Sequence, residues 1–201
     1  MNMLASNKYG VEPGTHHLAF LRAILKCCEE TEVQGGGYPL KNIKLEQGLK
    51  LAKAMFRSCH EAGNKVVFIG NGGSAAIASH FAVDYTKNGG IRSTALNDAA
   101  TLTCFANDYG YEQVFAKQIE AHGRPGDVTV IVSTSGTSRN ILAAAAAAKN
   151  ARCDVVTFSG MRPDNALRHF GSLNFYVPAG DYGLVECAHT NLLHSMVSIP
   201  T

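Results

Sequence analysis

Charge is scarce in this sequence. Only 17% of the 201 residues are Asp, Glu, Lys or Arg, against 46% hydrophobic, where globular domains commonly carry about a quarter charged. Lys plus Arg number 18 and Asp plus Glu 16, a formal net charge of +2. So few cations exclude binding dominated by neutralising a phosphate backbone, and no nucleic-acid partner is expected. The apolar content excludes a disordered chain. The length suits one domain with a full core. A lone chain of this size is expected to carry more surface charge, so part of its surface is expected to be buried in an oligomer.

Other signals are missing too. The start, MNMLASNKYGVEPGTHH, lacks a basic segment followed by an apolar run, so no secretory leader is expected. No apolar stretch reaches the roughly 20 residues of a membrane span, so no membrane partner is expected. The cysteines (Cys27, Cys28, Cys59, Cys104, Cys153, Cys187) include no C-x-x-C, and the adjacent Cys27-Cys28 suits no ordinary bridge. Reduced, mostly buried thiols in a cytoplasmic protein are the expectation.

What is present is organised. Residues 1–13 read as an irregular lead-in. Leu18, Leu21, Ile24 and Leu25 recur at helical spacing between His17 and Thr31. Glu32 to Pro39, with three glycines and a proline, reads as a loop. A second helix is expected from Asn42 to Ala62, stopped by Gly63. Short apolar runs then alternate with helical stretches. Strands are expected at Lys65–Ile69, Ser93–Leu96, Asp127–Val132, Asp154–Phe158 and Ser172–Val177. Helices are expected at Ala75–Lys87, Ala99–Ala106, Tyr111–Ala121, an alanine-rich stretch ending at Asn150, and Val185–Ser198. Such alternation predicts an α/β fold, a doubly wound parallel sheet flanked by helices, with an N-terminal helical arm. Residues 1–64 are assigned to oligomerisation and 65–201 to the binding core, within a single domain.

Ligands of open parallel sheets bind beyond the carboxyl ends of the strands. Two turns there are rich in small polar residues: Gly70-Asn71-Gly72-Gly73-Ser74 and Ser133-Thr134-Ser135-Gly136-Thr137-Ser138. Each opens a helix, whose free N–H groups favour an anion. The hydroxyls of Ser133, Thr134, Ser135 and Ser138 can donate to several phosphate oxygens. A single serine there would be read as a helix cap; this density of hydroxyls favours a phosphate cradle. No Lys follows in the P-loop manner, and the third glycine of a dinucleotide fingerprint is missing. A small phosphate monoester is the expected ligand.

The segments VVFIGNGGSAAIASHFAVDY, ANDYG and GDVTVIVSTSGTSRNI, with the terminal helix, resemble the sugar isomerase (SIS) domain. Within it they are most similar to the phosphoheptose isomerase group, over residues 42–198. The resemblance implies aldose–ketose isomerisation of sedoheptulose 7-phosphate, or a close sugar phosphate, through an enediol(ate). It implies zinc or another divalent metal, a homotetramer with active sites at subunit interfaces, and a place in heptose synthesis for surface glycans.

Moving a proton between C1 and C2 needs a base at carbon and a relay at the oxygens. His80 and Asp84 lie four apart and share a helix face. The family has His and Glu there, so the resemblance makes His80 a metal or substrate ligand and Asp84 the base, one methylene short. The family's terminal-helix Gln and His match Glu186 and His194, making His194 the general acid. Glu186 brings a charge where the family has an amide. The spacing of eight is about 12 Å of helix rise, so these side chains must lean together or come from different subunits. The implied metal set is His80, Asp84, Glu186 and His194. Asn71, Gly72, Gly73, Ser74, Asp108 and Glu186 are expected to join the hydroxyl turn in holding substrate; Asp108 could instead be an Asx-turn residue. His16, His17, His60, His122, His169 and His189 are read as structural. The alternative to an enzyme is a non-catalytic SIS protein of the replication-initiator-associating type. Such relatives lack the carboxylate and the terminal histidine that this chain retains. The absence of C-terminal regulatory modules argues against the arabinose-5-phosphate isomerase type.

Overall fold

A computed structural model describes residues 16–37 and 39–198. The expected lead-in over 1–13 lies outside them. Among the described residues, seven strands form one sheet, in the order β2 (Lys41–Ile43), β1 (Glu32–Gly35), β7 (Leu173–Tyr176), β6 (Asp154–Ser159), β5 (Val128–Ser133), β3 (Val66–Gly70), β4 (Ser93–Ala95). The five strands β3, β4, β5, β6 and β7 run parallel.

The central strands are apolar on both faces because helices cover both. Val66 and Phe68 of β3, with Val128, Val130 and Val132 of β5, enter one core. That core also takes side chains from α1 (His16–Glu29), α2 (Leu45–Glu61), α3 (Gly73–Lys87) and α7 (Tyr182–Ser198). Val67, Ile69 and Ile131 face the other way, against α5 (Ala116–His122) and the alanine face of α6 (Arg139–Asn150). This is the period-2 alternation of a strand between two helical layers.

The helix after β3 therefore lies on one face and the helix after β5 on the other, although the strands are neighbours. The chain reverses direction across the sheet between them. A crevice at such a switch point is where open α/β sheets bind ligands.

The expected loop over Glu32–Pro39 is instead mostly strand. β1 (Glu32–Gly35) pairs antiparallel with β7, and β2 (Lys41–Ile43) pairs antiparallel with β1. Buried Val33 stands opposite Phe175 and Ile43, and the glycines close a hairpin. The sheet is thus mixed, parallel with an antiparallel edge. Asn42 belongs to β2, so the second helix starts at Leu45. Of the N-terminal helices, α1 packs on α7, and α2 packs on α7 and the sheet.

Three further boundaries shift. The expected Tyr111–Ala121 helix divides into a 3-10 turn, Tyr111–Gln113, and α5. α4 runs from Ala99 to Tyr109, ended by Gly110. α7 starts early because Asp181 Oδ1 accepts the Leu184 N–H at 3.0 Å. Among the described residues, no helix is long and apolar enough to cross a membrane. All six cysteines are unpaired.

Candidate active site

The two expected turns meet at the switch point. Gly72 initiates α3 with φ 54° and ψ −123°, a conformation open in practice to glycine alone. Asn71, just before it, exchanges hydrogen bonds with Asn140 in the first turn of α6, 2.9 Å each way. Its Oδ1 also accepts from Tyr111 Oη at 3.2 Å. The Asn71 carboxamide thus holds the turns together and keeps one Nδ2 hydrogen unengaged by these bonds. Neither Asn140 nor Tyr111 stands out from the sequence alone as a site residue. The signal for Asn140 was its place two residues after the hydroxyl turn.

The hydroxyl turn is arranged to donate. Ser138 is the N-cap residue of α6, yet its side chain makes no capping hydrogen bond, contrary to the simple cap reading. Ser133 Oγ accepts from the Gly136 N–H at 3.2 Å, and Ser135 Oγ accepts from the Thr137 N–H at 3.4 Å. Both keep their O–H protons for a ligand. Thr134 Oγ1 is buried with no partner among the described groups. Ser74 is buried in the first turn of α3. Arg139 does not serve the cradle, because its guanidinium pairs with Glu112 at 2.7 Å.

α3 and α7 pack together and run the same way. His80 and Asp84 from the first meet His194 from the second. One ligand atom from each lies within 4.8 Å of the others. The His80 and His194 rings are 5.1 Å apart between centroids, and Phe81 supports the His194 ring edge-to-face at 4.7 Å. Asp84 Oδ2 lies 3.5 Å from His194 Nδ1, and Asp84 Oδ1 accepts from Asn88 Nδ2. Two imidazoles and a carboxylate at this separation fit a divalent metal after small side-chain adjustments.

Glu186 is not in that cluster. Its carboxylate lies over Gly73 at the start of α3, so close that a Cβ there would stand 2.5 Å from Oε1. The structure therefore brings together three of the four expected ligands and directs the fourth to the glycine turn.

The SIS domain family matches residues 40–160. A phosphoheptose isomerase from Roseiflexus sp. is 38% identical over 143 residues, 68% of this chain and 72% of its own. One from Thiobacillus denitrificans is 37% identical over 161 residues, 76% and 80% of the two chains. This chain belongs to the SIS domain family, in its phosphoheptose isomerase branch. The solved structure of phosphoheptose isomerase GmhA from Neisseria gonorrhoeae superimposes with a TM-score of 0.75 at 30% identity, covering 91% of this chain and 94% of that one. A phosphoheptose isomerase from Francisella tularensis gives 0.77 at 27% identity, covering 91% and 92%.

Asp108 lies in the last helical turn of α4, which overturns the Asx-turn alternative. It accepts from Asn107 Nδ2 at 2.9 Å and from Cys104 Sγ at 3.6 Å, with no described bond to either turn. His189 is fully buried, its Nε2 3.2 Å from the Ser159 carbonyl. Burial pushes its pKa down to about 4, so the ring is neutral near pH 7. His60 accepts the Arg92 N–H, a structural contact. A cavity of about 560 Å³ includes Lys65, His122 and Asp127 in its lining. It opens at the other end of the strands and shares no residue with the two turns.

Proposed function

We propose that this chain is an aldose–ketose isomerase converting sedoheptulose 7-phosphate to D-glycero-D-manno-heptose 7-phosphate. What carries the reading is one convergence in a phosphoheptose isomerase relative: the hydroxyl turn and the His80, Asp84 and His194 cluster flank one switch point. The hydroxyls of Ser133, Thr134, Ser135 and Ser138, with the N–H groups opening α6, hold the phosphate. The Gly72–Ser74 backbone and Asp108 hold the sugar. His80, Asp84 and His194 would hold a divalent ion, zinc by their chemistry. Such an ion supplies positive charge against a developing enediolate. His194 turns Nδ1 toward Asp84, which leaves Nε2 to pass a proton between the sugar oxygens. Asp84 serves as a metal ligand.

The reading extends to the assembly. Leu18, Leu21 and Leu25 stand exposed along one stripe of α1, apolar surface that suits a homotetramer interface. The unpaired cysteines suit a reducing cytoplasm. The test is an NMR-monitored assay on five- to seven-carbon sugar phosphates, with metal analysis of the same sample. Turnover of the seven-carbon ketose, lost with chelator and restored by zinc, is expected. No turnover of any sugar phosphate, with or without zinc, rejects the proposal.

A further inference from the structure

We propose that Glu186, rather than Asp84, is the carboxylate that moves the carbon-bound proton, an assignment that rests on the isomerase reading above. A general base needs a free lone pair aimed where substrate sits. Asp84 has neither oxygen free: one accepts from Asn88 and the other faces His194. The Glu186 carboxylate has no hydrogen-bond or ion-pair partner among the described residues, its backbone carbonyl alone accepting from Thr190 Oγ1. It is half-buried, and both its oxygens press on Gly73. Only a residue without a side chain lets a carboxylate lie so low over this turn.

Its support is rigid. Val185, the preceding residue, packs against Gly160 at the end of β6, where a Cβ would meet its methyl at 2.6 Å. His189, one turn on, is bonded to the Ser159 carbonyl. These buried neighbours pin the first half of α7 across the carboxyl ends of the strands. Glu186 is thereby fixed at the mouth of the crevice, beside the turn that receives the sugar. His80 and Asp84 lie further along α3, and helix side chains lean toward the N-terminus, here toward Glu186.

The chemistry balances without a co-reactant. The C1–H bond of the ketose breaks and its proton passes to Glu186. The electron pair forms the C1=C2 bond as negative charge collects on O2. The O1 proton moves to O2 through His194. The C1=O bond then forms as Glu186 returns its proton to C2.

The full-length protein tests this in deuterated water with sedoheptulose 7-phosphate, following turnover and deuterium at carbon by NMR. Glu186→Gln is expected to lose turnover and exchange together by about 100- to 10 000-fold, with KM near the wild-type value and metal content unchanged. Gly73→Ala, which displaces the same carboxylate, is the second variant; it is expected to lose about 100-fold while melting like wild type. Asp84→Asn is expected to lose metal, with exchange returning as zinc is added. The assignment is overturned if Glu186→Gln and Gly73→Ala exchange at wild-type rates, or if Asp84→Asn retains full metal content yet no exchange. A wild-type protein that neither turns over nor exchanges any sugar phosphate overturns the isomerase reading itself.

Discussion

The side chains of Asn71 and Asn140 pair head to tail, 2.9 Å in each direction. They come from neighbouring strand-to-helix turns and close the switch point like a staple. Asn140 is 3% exposed, so neither of its bonds is easily replaced by water. Asn140→Ala is expected to cost about 1–2 kcal/mol and to let the glycine turn drift from the hydroxyl turn. KM for the sugar phosphate should rise about tenfold, with a smaller change in kcat. Steady-state kinetics beside a melting curve check this; a lower melting temperature with unchanged KM rejects the coupling.

A second tie, at the other end of the same strands, governs stability and not catalysis. Asp127 is 1% exposed and accepts from the Lys65 N–H at 3.0 Å, the Arg124 N–H at 2.9 Å and the Lys65 ammonium at 2.5 Å. It joins the starts of β3 and β5. Lys65 is itself partly exposed, so its ammonium can rehydrate when the partner goes. Asp127→Ala is therefore expected to cost about 3 kcal/mol, read as a lower urea midpoint at unchanged slope. Because the turns lie at the opposite ends of the strands, KM should stay near wild type.

The central strands were readable because burial on both faces leaves a continuous apolar run, as in Val66–Ile69. β1 was not. Its four residues alternate, and the glycines after Gln34 resemble a loop until Phe175 and Ile43 are seen on either side of Val33. His80, Asp84 and His194 could be named because four-residue spacing on α3 and the resemblance both pointed to them. Glu186 could be named but not placed. Its spacing from His194 is silent on which way each side chain turns, and that depends on Gly73 leaving room. Asn140 and Tyr111 act through partners 69 and 40 residues away, a relation that local pattern does not carry.

Cys104 and Asp108 form a reactivity pair on α4. The Cys104 thiol is exposed, and its Sγ lies 3.6 Å from Asp108 Oδ2. The neighbouring carboxylate charge holds the thiol pKa above its usual value, because a thiolate beside it is repelled. Asp108→Asn is expected to speed alkylation of Cys104 by iodoacetamide at pH 8. The other cysteines should react slowly in both proteins, since burial pushes the thiols of Cys27, Cys28, Cys59, Cys153 and Cys187 up. Equal labelling rates for the variant and wild type would show that the carboxylate does not control this thiol.

Buried His189 makes the fold sensitive to mild acid. In the unfolded chain the imidazole takes a proton near pH 6.5; in the folded protein burial delays this to about 4. Between those values the unfolded state binds more protons, so stability rises with pH and falls as the solution is acidified. The full contribution is present above pH 6.5 and declines by about 1.4 kcal/mol per pH unit below it, until the folded protein also protonates. Urea midpoints measured from pH 7.5 to 4.5 should follow that decline. His189→Gln keeps a polar side chain near the Ser159 carbonyl but removes the titration. The variant should start less stable at pH 7.5 and lose less on acidification, so the two curves converge. If the variant's curve runs parallel to that of the wild type, His189 is not the source of the acid sensitivity.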